Sequence, residues 1–459
     1  MTTEYAAAFD EIVDVPVDYT RPPEFTDEAL ALRFAEHHAE DLRFAALWSK
    51  WLRWDGSKWR FDDTLAAYDL VREICRQASS KCNKPKMASA LASGKTVAAV
   101  ERLARSDRRI AATVDQWDAD PWLLNTPNGT VDLRTGKNRQ HLQSDYITKC
   151  TAVAPEGNCP RWHEFLASIT NDDNELQQFL QRMCGYGLVG VTWEHALFFL
   201  YGLGANGKTT FLNAIIGMLG DYHRTAPIET FTVSRGERHP TELAGLRGAR
   251  LVTASETEQG RRWAESRLKT LTGGERVAAR FMRQDWFEFT PQFKLVIVGN
   301  HRPGLRSVDE AIRRRFHLVP FEVTILPEER DQKLSEKLRH EWPGILAWAV
   351  QGCLDWQERG LAPPRAVSEA TAKYLESEDA IAAWMEECCD RDPNAQEKRG
   401  DLFASWKSWT TKTGEFTGTE KQFIAVLETR HGIKPYRTSS ERGFRGLHLR
   451  KPPEPDLLR

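Results

Sequence analysis

The chain has 459 residues, with 63 lysines and arginines against 65 aspartates and glutamates, for a formal net charge of −2. Hydrophobic residues make up 41% and charged residues 28%. That globular mix excludes wholesale disorder, and the length suggests about three domains. The longest obvious apolar run, residues 196–201, is six residues long, whereas a membrane span needs about 20. The N-terminus has neither a basic n-region nor a long apolar core, so the reading is a cytoplasmic protein with no membrane partner. Its eight cysteines form no C-x-x-C pair and read as reduced, packed residues.

Residues 1–27 are acidic and proline-containing and read as an N-terminal arm. Residues 28–150 read as a mostly helical domain. Helical spacing begins in LALRFAEHHAEDLRFAALWSKWL, resumes from Asp63 and continues through residues 88–113. Two short β features interrupt it. WDGSKW (54–59) is a turn at Gly56 between aromatic strand residues, and NGTVDLRTG (128–136) is a hairpin. From residue 161 a helical segment leads into the strand ALFFLY (196–201), a glycine-rich turn and a helix over 209–219. The apolar runs ARLVTA (249–254) and FKLVIV (293–298) follow among helices, which predicts a mainly parallel α/β sheet over 151–375. Pro363-Pro364 and the charged stretch 376–379 suggest a linker to a basic C-terminal domain, 376–459.

The turn GLGANGKT at 202–209 matches G-x-x-x-x-G-K-[ST] at every fixed position. Glycines let the backbone curl so that its N–H groups converge on a phosphate, and the following helix adds its positive end. Gly202, Gly204, Ala205, Asn206, Gly207, Lys208, Thr209 and Thr210 are the candidate nucleotide-binding residues. Lys208 is placed to reach the β- and γ-phosphates, and the Thr209 hydroxyl to hold Mg²⁺. A second G-K-T, in Ser93-Gly94-Lys95-Thr96, lies among helical residues with no strand before it and reads as a helix break.

Hydrolysis also needs a metal-orienting acid and a group that positions water. The strand at 249–254 runs into Ser255-Glu256-Thr257-Glu258. Glu256 is the first candidate for the Mg²⁺ acid, with Glu258 as alternate. The next strand ends in Gly299-Asn300, and an amide there can hold the attacking water. Arg313-Arg314-Arg315 then precedes HLVPF. Three adjacent arginines point in different directions, so one can reach a neighbouring subunit as an arginine finger.

These segments, in this order, resemble the superfamily 3 helicases, in particular the C-terminal helicase half of phage and plasmid primase–helicases, related to the poxvirus type. GLGANGKT, LVTASE, TGGERVAARF, FKLVIVGNHRP and DEAIRRRFHLVPF carry the resemblance. Upstream, DPWLLNTPNGTVDLRTG and the WDGSKW region are similar to the helical domain that precedes this core. Downstream, LFASWKSWT and RGFRGLHL are similar to its winged-helix-like end. The resemblance implies an AAA+-like P-loop core between those two domains. It implies ATP with Mg²⁺, Glu256 as the Walker B acid, Asn300 as sensor, and Arg314 or Arg315 as finger. It also implies a ring, most naturally a hexamer, that moves towards the 5′ end of bound single-stranded DNA, acts at forks in the replication of a phage or mobile element, and has a primase or other replication protein as a possible partner. Residues 275–290 fall where the family has a pore hairpin. The chain departs from the family in having Arg313 where an aromatic often stands, which leaves the choice of finger open.

The DNA side has its own signal. Lys269, Arg276, Arg280 and Arg283 cluster around Phe281, Trp286 and Phe287, the basic and aromatic mixture that grips a nucleic-acid strand. Residues 398–451 hold 12 basic and 5 acidic residues, a local +7 in a chain of −2. Two readings compete with the helicase. One is an initiator or scaffold ATPase that switches with nucleotide but does not unwind. The other is a primase, for which Asp118-x-Asp120 is the D-x-D considered.

Overall fold

A computed structural model of the chain describes residues 22–233, 241–256, 261–283, 285–305, 308–415, 417–429, 431, 433–438 and 441–450. The elements below are those formed by these residues. The chain divides into two compact units, one built from residues up to 132 with 137–150, the other from 133–136 and 151 onward. No described helix is long and apolar enough to cross a membrane, and all eight cysteines are free.

The first unit has more strand than its spacing predicts. Helix Asp27–His38 starts at Thr26, whose hydroxyl accepts from the Ala29 N–H, and it buries Leu30, Ala31, Phe34 and Ala35. It ends at His38, and LRFA and KWLRW, which the periodicity continues as helix, are the antiparallel strands Leu42–Ala45 and Lys50–Trp54. Short apolar runs fit either period, and tertiary pairing decides between them. Trp59–Phe61 and, in parallel, Ala111–Ala112 complete a four-stranded sheet. Gly56 takes the predicted turn with φ +96°. The 128–136 region is the middle of a three-stranded meander, Leu123–Thr126, Gly129–Asp132 and Lys137–Arg139. The second G-K-T starts helix Gly94–Ala104, with Ser93 as the cap that accepts from Thr96 N–H.

The second unit carries the expected parallel sheet. Its strands are β1 (Leu197–Tyr201), β2 (His223–Thr225), β3 (Leu251–Glu256), β4 (Lys294–Gly299) and β5 (Phe316–Pro320). They lie in the order β5-β1-β4-β3-β2, all parallel. Leu197, Phe199, Val252, Leu295, Ile297 and Leu318 are buried on it, each worth about 1.5–3 kcal/mol of transfer free energy. The helical segment after residue 160 is two helices, Pro160–Thr170 and Asn174–Leu188. They are separated by Asn171 and Asp172 at positive φ, with Asp173 capping the second. Helix Trp342–Arg359 packs on Asn174–Leu188 through glycines: a Cβ on Gly185 would lie 2.1 Å from Cys353 N, and one on Gly352 2.2 Å from Gln181 O.

The linker expected near 363–379 is not one. Residues Arg365–Ser377 form a helix on β5, where the Thr371 hydroxyl accepts from Leu318 N–H at 2.9 Å and Tyr374 is buried. The apolar face of that helix is continuous with the sheet's core, which its flanking prolines and charges conceal in the sequence. Beyond it, helices Ala380–Cys388, Arg399–Thr413 and Glu420–Thr429 surround Trp384, Trp406, Phe423 and Leu427. A three-stranded antiparallel sheet in the order Gln396–Lys398, Arg442–Arg445, Lys434–Arg437 packs on them.

Candidate nucleotide-binding site

Strand β1 delivers the chain to the turn at its C-terminal end, and helix Lys208–Leu219 leaves it. Three residues of the turn have left-handed or extended positive φ: Gly202 (+150°), Ala205 (+61°) and Gly207 (+82°). Two of these positions also have no room for a side chain. A Cβ on Gly202 would lie 2.1 Å from the carbonyl oxygen of Phe321, and one on Gly207 2.5 Å from Ile169 Cγ2. The loop is tied to the chain leaving β5. Asn206 Nδ2 donates to Phe321 O at 2.8 Å, Phe321 N to Tyr201 O at 2.8 Å, and Ile325 N to Ala205 O at 2.9 Å.

Lys208 is the chemical centre of the turn. It is 5% exposed, and its ammonium donates to Gly202 O (2.7 Å), Asn206 Oδ1 (3.0 Å) and Leu203 O (3.2 Å). Among the described residues no carboxylate pairs with it, and burial pushes its pKa below the ordinary lysine value. A cation desolvated against neutral oxygens alone is a site an anion completes. Thr209 is exposed on the first helical turn and Thr210 half-buried beside it. A hydroxyl one residue beyond an anion-seeking ammonium suits a hard cation bridging to phosphate, so the residues present fit Mg²⁺.

Register places the remaining candidates at the same sheet edge. Tyr201 pairs with Gly299, and Gly299 with Glu256. Gly202, Asn300 and Glu256 therefore lie on three neighbouring strand ends, within roughly 10 Å across the sheet. Asn300 is exposed just past Gly299. Glu258 lies outside the described residues.

Arg314 and Arg315 lie at the other end. Phe316 pairs with Leu197 and Arg315 O accepts from Leu197 N at 2.7 Å, so both arginines precede β5 at the sheet edge opposite the glycine-rich turn, about 13 Å along the strand. Neither can serve the turn of its own chain. Arg315 is also withdrawn from the surface: it is 6% exposed, and its guanidinium donates to Thr272 Oγ1 (3.1 Å) and Ala311 O (2.7 Å). These bonds hold Arg315 inside, while Arg314 is exposed and Arg313 half-buried.

Sequence reasoning missed the groups that hold the Asn300 loop. Trp263 Nε1 donates to Tyr374 Oη at 2.9 Å, and that hydroxyl donates to Pro303 O. Trp263 N donates to Gly304 O (2.9 Å), Gly304 N to Arg261 O (2.8 Å) and Leu305 N to Glu378 Oε2 (2.7 Å). The segment after Glu256 and the segment after Asn300 are thus pinned to each other. Arg302 lies over the rings of Tyr201 (5.4 Å) and Tyr374 (5.7 Å). The only trace in the sequence is the Arg-Pro that follows Asn300-His301.

The predicted DNA-binding residues divide. A hairpin forms from Val277–Ala279 and Phe287–Phe289, with exposed Phe281, Met282, Arg283 and Trp286 toward its tip. Arg283 has φ +59°, the strained backbone of a tight turn. Arg280 lies over the Trp286 ring at 4.9 Å, and Arg276 is exposed with Glu288 at 3.8 Å. Lys269 lies on helix Glu265–Thr272 outside this hairpin. It pairs at 2.5 Å with Asp309, which also caps helix Glu310–Arg313. Asp118 ties its loop to the chain thirty residues on, accepting from Thr148 N–H and Oγ1–H, and Asp120 closes a local turn by accepting from Trp122 N–H.

Residues 31–171 match a family model described as D5 N terminal like, and residues 200–315 one described as a family of unknown function, DUF5906. Among curated proteins, candidate helicase L207/L206 of Acanthamoeba polyphaga mimivirus is 26% identical over 321 residues, 64% of this chain and 33% of that protein. Candidate helicase 121R of Invertebrate iridescent virus 3 is 25% identical over 375 residues, 72% of this chain and 39% of that protein. Candidate helicase 022R of Frog virus 3 is 28% identical over 299 residues, 59% and 30%. The chain spans about a third of the length of these relatives. The C-terminal region of NrS-1, in its apo structure, shares the fold: TM-score 0.52 at 10% identity, covering 92% of this chain and 99% of that one. The chain resembles primase–helicase-like helicases. Its similarity runs from the D5 N-terminal-like segment through the parallel sheet, and its relatives carry helicase names.

Proposed function

We propose that this chain is an ATP-driven DNA helicase of the superfamily 3 type, serving replication of a phage or mobile element. The observation that carries the reading is Lys208, a buried ammonium held by three neutral oxygens with no carboxylate among the described residues. ATP supplies the missing anion. The turn's backbone cradles the phosphates, Lys208 exchanges its carbonyl partners for phosphate oxygens, and Thr209 with Glu256 holds Mg²⁺. The metal supplies charge neutralisation on the β- and γ-phosphates. Asn300 orients the attacking water, and Tyr374, Trp263 and Glu378 hold its loop.

The sheet order β5-β1-β4-β3-β2 supports an AAA+-like core. The position of Arg314 at the far edge supports a finger acting on a neighbouring subunit, hence a ring, for which we propose a hexamer. In that ring the hairpin with Arg276, Arg280 and Arg283 grips single-stranded DNA, including the strand exposed at a fork. ATP turnover with and without single-stranded DNA tests this, with Lys208→Ala beside the wild type. DNA-stimulated turnover that the substitution reduces at least a hundredfold is expected. Turnover indifferent to Lys208 overturns the site. Turnover indifferent to DNA favours a nucleotide switch that does not unwind.

A further inference from the structure

Five of the twelve basic residues of the segment 398–451, Lys398, Lys434, Arg437, Arg442 and Arg445, lie on one small sheet. In the hairpin of Lys434–Arg437 with Arg442–Arg445, Lys434 pairs with Arg445, Pro435 with Phe444, Tyr436 with Gly443 and Arg437 with Arg442. Gln396 and Lys398 of the third strand pair with Arg445 and Gly443. Phe444 is buried in the core, which fixes the inner face. Alternation along the strands then puts Lys434, Arg445, Lys398 and Tyr436 together on the outer face.

Two features of this surface are costly unless something binds it. Lys434 lies directly opposite Arg445 on this face, and Arg437 opposite Arg442 on the other face beside the hairpin's turn; like charges in register destabilise a β-ladder. Among the described residues none of these four cations forms an ion pair, and Lys398 alone has an acid, Glu441 at 2.7 Å, in an exposed pair of little energetic weight. The second feature is Tyr436. A Cβ on Gly443 would lie 2.6 Å from its Cε1, so the ring lies across the glycine, with the Arg445 guanidinium 5.8 Å from its centroid. A ring flanked by cations on an open sheet offers stacking and phosphate contact together. The neighbouring helix Glu420–Thr429 offers neither. Its exposed positions Lys421, Ala425 and Glu428 cancel in charge, and Glu420 pairs with Arg399.

We propose that the outer face of this sheet, through Lys398, Lys434, Arg445 and Tyr436, binds the phosphate backbone of a nucleic acid without regard to sequence. This surface is separate from the pore hairpin and needs no nucleotide. The test is fluorescence anisotropy of the full chain with a labelled 20-nucleotide single strand, without ATP, between 50 and 200 mM salt. The Lys434→Ala/Arg445→Ala variant should lose two phosphate contacts, lowering the slope of log affinity against log salt by about 1.4. The affinity lost over that fourfold salt range then becomes about sevenfold smaller than in the wild type. Its thermal midpoint should be equal to or above that of the wild type, because a like-charge pair is gone. Lys421→Ala should change neither quantity, and Lys208→Ala should leave binding intact while turnover falls.

An unchanged slope in the folded double variant overturns the proposal, as does a larger effect from Lys421→Ala or failure of the wild type to bind. If Arg283→Ala alone alters binding, the pore reading stands and this one falls. If the double variant alone does, the reverse holds.

Discussion

Replacing Tyr374 by phenylalanine removes one oxygen atom from the relay that holds the Asn300 loop. The ring is 1% exposed, and its hydroxyl both accepts from Trp263 Nε1 at 2.9 Å and donates to Pro303 O. The indole is 1% exposed as well, so the substitution strands a buried donor and deprives a loop carbonyl of its proton. A buried donor without a partner costs about 1–3 kcal/mol, and the loss of the second bond adds about 1 kcal/mol. We expect a destabilisation of about 2–4 kcal/mol, read in a urea melt as a lower midpoint with an unchanged slope. In a thermal scan the fall should be about 4–8 °C for a unit of this size. Pro303 lies three residues beyond Asn300, so turnover should also fall while the KM for ATP changes little, because the phosphate cradle is untouched. Glu378→Gln is the conservative companion. Burial already raises the Glu378 pKa, and an amide oxygen can still accept from Leu305 N–H, so little change is expected. A Tyr374→Phe protein with wild-type melt and turnover would refute the claim that this relay positions the loop.

Other outcomes follow from the same geometry. Arg314→Ala should abolish turnover without altering the melt, whereas Arg315→Ala, which strands Thr272 and Ala311 O, should lower the melting midpoint first; the opposite pattern would exchange their roles. Gly202→Ala combines a φ of +150° with a Cβ 2.1 Å from Phe321 O, so nucleotide binding measured by a fluorescent analogue should be lost. His317, stacked on Phe198 at 5.4 Å, is held by burial down to about 4. Its unfolded form takes up a proton near pH 6.5 and its folded form only near pH 4, so stability should fall as pH drops between those values. In His317→Phe the slope of denaturation midpoint against pH over that window should flatten, and an unchanged slope would exclude His317 as its source.

The glycine-rich strand–turn–helix and the parallel sheet were legible in the sequence. Their signals are local: GLGANGKT needs glycines at fixed places, and ALFFLY, LVTA and FKLVIV are apolar on both faces because helices cover both. The helix break at Ser93-Gly94 and the turn at Gly56 were local in the same sense. What the sequence misassigned depended on distant partners. LRFA and KWLRW fit helix or strand by spacing, and pairing with Trp59–Phe61 and Ala111–Ala112 made them strands. Residues 365–377 carry the prolines and charges of a linker, yet Tyr374 and Thr371 find Trp263 and β5 and become core. Three arginines in a row look equivalent until Thr272 and Ala311 take Arg315 inside. Lys269 looks like an unpaired cation until Asp309, forty residues on, comes within 2.5 Å of it. Composition and spacing determine which residue types are available at each strand end. Which of them remain free to act is decided by the hydrogen bonds and ion pairs that only the folded chain brings within reach.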